Sequence, residues 1–292
     1  MGSLPLAGRT AIITGANQGL GQAIAHAYVN AGANVILCAR NGELLANVAH
    51  ELMAQVGPNQ RIVAQPCDVS NAADVKRFVE MALAQFSQIH VLVNNAGIYG
   101  PKGAIETVDW DEWMQAISIN LFGSVLFTRA LLPHFKANHY GKIVQLSGGG
   151  ATNPLPFLSA YAVSKAAIVR YVETLAQEVA ADQITVNAIA PGMLNTRLLD
   201  EVIDAGPEKV GEAFHARALK QKNEGGVPLT HGADLAVYLA SAESDGITGK
   251  LISAVWDPWE QFTDHLPDLQ HTDIYTLRRI IPKDRGFDWG DV

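Results

Sequence analysis

Seven short runs rich in apolar and β-branched residues recur along the chain: Thr10–Thr14, Asn34–Ala39, Arg61–Gln65, Val91–Asn94, Lys142–Leu146, Thr185–Ile189 and Leu251–Val255. Their length and near-continuous apolar character suit strands buried on both faces of a parallel sheet. Between them, apolar and polar residues mix at helical spacing over Gly21–Ala31, Glu43–Val56, Ala72–Phe86, Asp111–Lys136, Tyr161–Ala180 and Ala233–Ala240. The alternation predicts an α/β fold in which seven parallel strands are wound with helices on both faces. Asn41-Gly42 after the second run, and Asp68-Val69-Ser70-Asn71 before the third helix, supply turn and capping residues, with Ser70 or Asn71 as the cap.

The regular alternation predicts one domain over residues 1–255. Within it, 193–231 is an excursion punctuated by Gly206-Pro207, Gly211 and Gly225-Gly226-Val227-Pro228. Such punctuation fits two short helices that close as a lid, or a fixed helical pair packed on the core. Residues 256–292 form a C-terminal extension rich in Trp, Pro and Asp. Its Trp256, Trp259, Tyr275, Arg278 and Arg279 suit a polar substrate pocket, a neighbouring subunit or packing on their own domain.

Composition narrows the function classes. With 21 basic against 29 acidic residues the net charge is −8, which argues against a nucleic-acid partner. Two cysteines, Cys38 and Cys67, lack the close spacing of a metal or disulfide framework, and no secretory leader is evident. A reduced, cytoplasmic setting without a structural metal is the expectation. The apolar runs are broken well short of the roughly 18 residues of a membrane span, so no membrane partner is expected.

The chemistry begins at Thr14-Gly15-Ala16-Asn17-Gln18-Gly19-Leu20-Gly21, which leaves a predicted strand and opens a predicted helix. Glycines there let the backbone turn beneath a diphosphate held at the helix N-terminus. Farther on, Tyr161 and Lys165 stand four apart on one helix face, placing an ammonium near a phenol. Moving a tyrosine pKa from about 10 toward 7 takes roughly 4 kcal/mol of preferential phenolate stabilisation, which a nearby ammonium together with a second positive charge on a bound group can supply in a partly desolvated site.

Taken together, Thr14-Gly-x-x-x-Gly-x-Gly21, Asp68-Val69, Asn94-Asn95-Ala96-Gly97, Asn120, Tyr161-x-x-x-Lys165 and Pro191-Gly192 resemble the short-chain dehydrogenase/reductase family over nearly residues 6–255. The resemblance implies a Rossmann-type doubly wound fold that binds NAD(P)(H). It also implies hydride transfer between a ketone or aldehyde and an alcohol, with a small-molecule carbonyl or alcohol as substrate. Residues Gly15, Asn17, Gln18, Gly19, Leu20 and Gly21 would cradle the diphosphate, and Asp68 with Val69 would meet the adenine. Asn95, Ala96 and Gly97 would lie beside the ribose, while Pro191, Gly192 and Thr196 would face the nicotinamide. Tyr161 would be the acid/base, and Lys165 would lower its pKa and bond the nicotinamide ribose. Asn120 would hold a water linking Lys165 to solvent. A homodimer or homotetramer, paired through the helices carrying Asn120 and Tyr161, is likewise implied.

Two departures bear on function. At the end of the second strand stands Cys38-Ala39-Arg40-Asn41, where NAD-preferring relatives carry an acid at the position of Ala39. Arg40, with Asn41, suits a 2′-phosphate, so NADP(H) is favoured over NAD(H). Second, thirteen residues before Tyr161, where the family places its carbonyl-orienting serine, this chain has Gly148. Ser147, turned inward by the glycines after it, is the reading taken here, with a turn-capping hydroxyl as its alternative. Ser159 or Thr152 as substitute, or a lost polarising group, also stay open. That loss keeps a non-catalytic NAD(P)-binding sensor or scaffold in view, and an NAD(P)-using epimerase or lyase is the third class.

Overall fold

The structure, a computed structural model, describes residues 4–289; the outermost positions of the two predicted segments, 1–3 and 290–292, lie outside the described residues. Strands β1 (Thr10–Thr14), β2 (Asn34–Ala39), β3 (Ile62–Pro66), β4 (Val91–Asn94), β5 (Gly141–Leu146), β6 (Ile184–Ala190) and β7 (Leu251–Ser253) form one parallel sheet in the order 3-2-1-4-5-6-7. The doubly wound α/β architecture is therefore as expected, and the order reverses between β1 and β4. In such sheets the crevice beyond the strand ends at that point receives ligands.

Helices follow in chain order: α1 (Gly19–Asn30), α2 (Gly42–Met53), α3 (Ala72–Gln85), α4 (Trp110–Ile117), α5 (Gly123–Ala137), α6 (Ser159–Glu178), α7 (Arg197–Ala205), α8 (Pro207–Val210), α9 (Glu212–Glu224), α10 (Leu229–Ala240) and α11 (Leu266–His271). Side-chain alternation on the strands splits the core. Ile13, Val35 and Val93 pack with α1, α2 and α10 through Ile24, Leu45 and Leu235. On the other face Ile12, Ile36 and Leu92 meet α3, α5 and α6 through Phe78, Phe127 and Val172. Phe127 is wholly buried, and removing its ring costs about 3–5 kcal/mol by the usual core scale. Asn41 caps α2 by accepting from Leu44 N at 3.0 Å, and Asn71, rather than Ser70, caps α3 through Ala73 N and Asp74 N.

Three segments differ from the sequence expectation. The helix expected over 111–136 is interrupted at Ser118–Phe122 by a single π turn, which buries Asn120 between α4 and α5. A π turn adds one residue without changing helical composition, so periodicity ran through it. The helical stretch Trp110–Ala137 is long and apolar enough to cross a membrane by length and composition, yet half of its most apolar window is buried inside this fold. Here it packs against the sheet through Phe127, Leu131 and Phe135.

Strand β7 stops at Ser253 rather than Val255. The Ser253 amide donates to Asp257 Oδ2 at 2.6 Å, and Ser253 Oγ accepts from Val255 N and Trp256 N, which turns the chain off the sheet. The extension then returns along the β7 edge, where Leu251 N donates to Tyr275 O at 2.8 Å and Lys250 Nζ donates to Thr272 O and Ile274 O. Trp259 packs on Tyr238 and Tyr275 on Phe262, so the edge that β7 would otherwise expose is covered. Arg278 pairs with Asp273 and Asp284 within the extension. The excursion 193–231 holds three helices rather than two. Leu199, Val202, Val210 and Ala218 form a small core for them, and Val227 N bonded to Met193 O at 3.0 Å closes their base.

Candidate active site

A cleft of about 1130 Å³ opens at the C-terminal ends of the strands, from the end of β2 to the excursion helices. Its floor is the first glycine turn. Gly15 and Gly19 both hold positive φ, at 63° and 57°, and a side-chain carbon at Gly21 would lie 2.2 Å from Gly15 O. Only glycine at 21 lets α1 start this close beneath the turn. Thr14 Oγ1 accepts from Asn95 N and Ala96 N, while Asn95 Nδ2 donates to Thr14 O and Gly15 O, tying β1 to the turn after β4. Among the described residues no side chain caps α1 and no acid stands in its first turn, so its free amide groups are open to an anion at the cleft.

The sequence-selected residues converge here. Gly15, Asn17, Gln18, Gly19, Leu20, Gly21, Arg40, Asn41, Val69, Asn95, Ala96, Gly97, Ser147, Tyr161, Lys165, Pro191, Gly192 and Thr196 all line the cleft. Arg40 is exposed at one end and pairs with no carboxylate among the described residues. Asp68 and Asn120 do not line it. Asp68 Oδ1 accepts from Ser70 N and Ser70 Oγ at 2.9 and 2.7 Å, leaving Cys67 and Val69 as the wall beside Arg40. An uncapped helix start over a glycine floor is a donor set that suits a diphosphate, and the Arg40 guanidinium stands at the far end of the same cleft.

At the other end, Lys165 is buried and donates from Nζ to Leu146 O at 2.7 Å, with the ammonium 5.5 Å from the centre of the Tyr161 ring. Asn120 accepts from Ile98 N through Oδ1 and donates through Nδ2 to Ile98 O and Ser164 Oγ, each at 2.9 Å. Ser164 Oγ in turn donates to Tyr161 O at 2.7 Å. A side-chain carbon at Gly97 would lie 3.3 Å from Asn120 Oδ1 and 3.6 Å from Lys165 Nζ, so the two groups meet over this glycine. The π turn is what presents Asn120 to this junction.

The expected depression of the phenol pKa is not met by this pair alone. Burial, and secondarily the Tyr99 phenol, push the Tyr161 pKa well above its ordinary value. Burial lowers Lys165 to about 8. At the phenol, burial therefore outweighs the help of the nearby lysine. A phenolate near neutral pH requires a further positive charge at the site.

The hydroxyl expected from Ser147 is also redirected. Ser147 Oγ is buried and donates to Lys165 O at 3.2 Å, fastening β5 to α6. Ser159 Oγ accepts from Trp113 Nε1 at 3.1 Å, and Thr152 is exposed with its hydroxyl held by Asn153. Gly148 itself faces the phenol: a side-chain carbon there would lie 2.9 Å from Tyr161 Oη.

Sequence reasoning did not select Tyr99, whose ring meets Tyr161 edge to face with centroids 4.6 Å apart, nor Leu155, Phe214 and Arg217, which complete the wall at this end. An aromatic residue two positions past the turn at Gly97 was the available signal for Tyr99. Trp256, named among the extension residues, stands largely exposed at the mouth.

Comparison with known proteins agrees with this geometry. The sequence model of the short chain dehydrogenase family matches residues 9–205. The chain belongs to that family. D-beta-hydroxybutyrate dehydrogenase of Cupriavidus necator is 33% identical over 86% of this chain and 96% of its own length. The 11-beta-hydroxysteroid dehydrogenase-like 3 of Arabidopsis thaliana is 36% identical over 65% of this chain, a match that spans 60% of that relative. Among solved structures, a 3-ketoacyl-(acyl-carrier-protein) reductase from Brucella melitensis complexed with NADH superposes with a TM-score of 0.74 at 31% identity, covering 85% of this chain and 97% of that one. Membership makes the chain an oxidoreductase of the short-chain dehydrogenase/reductase type, acting on CH–OH groups.

Proposed function

We propose that the protein reduces a ketone or aldehyde with NADPH, or oxidises the corresponding alcohol, with Tyr161 as the acid/base. The observation that carries this reading is that Tyr161 and Lys165, with Asn120 behind them at Gly97, line the same cleft as the glycine turn and Arg40. The glycine turn and the amide groups of α1 would hold the diphosphate, Arg40 the 2′-phosphate, and Thr196 the carboxamide. When bound, the nicotinamide supplies the hydride and, once oxidised, the positive charge that Lys165 alone does not provide.

In reduction, Tyr161 Oη gives its proton to the carbonyl oxygen. Lys165 holds the ribose side of the cleft, anchored by Leu146 O. Asn120 keeps the backbone at Ile98 in place and borders Lys165, where a water would return the proton. Exposed Trp110, Phe122 and Val163, on α4, the π turn and α6, support assembly of two or more copies through this side.

The bare Gly148 favours one second reading, a nucleotide-binding sensor that has lost turnover. NADPH consumption against a panel of carbonyls, with Tyr161→Phe as the partner variant, separates the two. Turnover that disappears in the variant supports the enzyme; NADPH binding without turnover of any carbonyl supports the sensor.

A further inference from the structure

Position 148 carries no hydroxyl; of the three neighbouring hydroxyls, Ser147 donates to Lys165 O, Ser159 accepts from Trp113 Nε1, and Thr152 is exposed and accepts from Asn153. An oxyanion site with a single donor, Tyr161, loses a large part of the stabilisation that a second donor gives to charge gathering on the carbonyl oxygen. The side chain in ring contact with Tyr161 inside the cleft is another phenol. Tyr99 lines the cleft with its ring 4.6 Å from that of Tyr161 at 64°. Its hydroxyl has no hydrogen-bond partner among the described residues. Lys102 Nζ, itself paired with Glu201 at 3.3 Å, stands 5.7 Å from the Tyr99 ring centre. The ring is thus held between Tyr161 and the excursion.

We propose that Tyr99 is the second hydroxyl on the substrate carbonyl, taking the position-148 serine's part in orienting and polarising that oxygen. The assignment rests on the carbonyl-reductase reading above. Tyr99 keeps its own proton throughout: it donates a hydrogen bond to the oxygen as hydride reaches the carbonyl carbon, and the proton that completes the alcohol comes from Tyr161. Burial pushes the Tyr99 phenol up to about 12, which suits a donor that must stay neutral while its neighbour exchanges a proton. The glycine at 148 is the complement of this arrangement. With no side chain there, the Tyr161 hydroxyl sits against the backbone at Gly148, with the Tyr99 ring packed on its own ring.

The test is reduction by NADPH of a series of para-substituted benzaldehydes, from methoxy to nitro, by the wild type, Tyr99→Phe and Tyr161→Phe. Tyr99→Phe keeps the ring contact and removes only the hydroxyl. Its kcat is expected to fall by about 100- to 1000-fold on the methoxy compound, in the range for losing one oxyanion donor. The loss should shrink on the nitro compound, whose electron-poor carbonyl needs less polarisation, while the NADPH dissociation constant and the melting temperature stay at wild-type values. A purely structural role for Tyr99 would lower kcat evenly across the series or move NADPH binding, and either result overturns the assignment, as does wild-type turnover in Tyr99→Phe. If Tyr161→Phe is inactive while Tyr99→Phe is not impaired, the assignment of Tyr99 fails and the reductase reading stands. A wild type that reduces none of the aldehydes overturns both.

Discussion

The Tyr161 hydroxyl occupies the space that a side chain at Gly148 would enter, 2.9 Å from where its first carbon would lie. A contact that short cannot persist, so Gly148→Ala must push the phenol by a few tenths of an ångström. The displaced atom is the far end of one side chain, so the fold should tolerate it. Turnover should fall by about tenfold, since misplacement on the ångström scale costs about 100-fold. Stopped assays and a thermal melt check the pair of outcomes: reduced kcat with an unchanged melting temperature.

Arg40 stands at the opposite end of the cleft without a carboxylate partner among the described residues. Charge-assisted bonds to a 2′-phosphate contribute about 1.5–3 kcal/mol, so Arg40→Ala should weaken NADPH by roughly 10- to 100-fold and NADH little. Fluorescence titration with both nucleotides measures this. Equal losses would return the preference to NAD(H).

Lys165 is held at a cost to stability. Its pKa is lowered by burial to about 8, against an ordinary value of 10.5. Below pH 8 both folded and unfolded lysines carry the proton, and the folded state bears the full burial penalty. Between pH 8 and 10.5 only the unfolded lysine is protonated, and the penalty fades as pH rises. Lys165→Met should therefore melt at or above the wild-type temperature at pH 7, with the difference disappearing by pH 10.5, and should lose turnover by more than about 100-fold if the ammonium serves the chemistry. Paired melts and assays across that range show it.

At the far end of the sheet, His90 accepts from Thr10 N through Nδ1 at 3.0 Å, so its neutral form is built into the join between β1 and the loop before β4. Burial first, then the charges of Arg9 and His134, lower its pKa to about 4 from 6.5. The stabilisation is fully present above pH 6.5 and is lost as pH falls from 6.5 to 4, because only the unfolded histidine takes up a proton there. With the ring partly open to solvent, the loss should be about 1–2 kcal/mol after screening. Urea denaturation of wild type and His90→Gln at pH 7 and pH 4.5 tests it: the wild type should lose more on acidification than the variant.

The seven strands and the glycine turn were legible in the sequence because each depends on local pattern: apolar runs, a strand-to-helix glycine cluster, and caps such as Asn41 and Asn71. Tyr161 and Lys165 were legible because helical spacing alone brings them to one face. What the sequence did not disclose depends on contacts between distant segments. The π turn at 118–122 leaves helical composition intact. Ser147 turns away because Lys165 O, eighteen residues on, is there to accept its hydroxyl. Tyr99 meets Tyr161 only once β4 and β5 lie side by side. The covering of the β7 edge by Tyr275 likewise joins segments that no periodicity relates.

The most direct test of proton transfer by Tyr161 is single-turnover reduction of a carbonyl by NADPH-loaded Tyr161→Phe. The phenylalanine keeps the ring against Tyr99 and removes the transferable proton. Nucleotide binding should be retained and the rate of NADPH oxidation should fall by at least about 100-fold. A rate equal to that of the wild type would contradict the account.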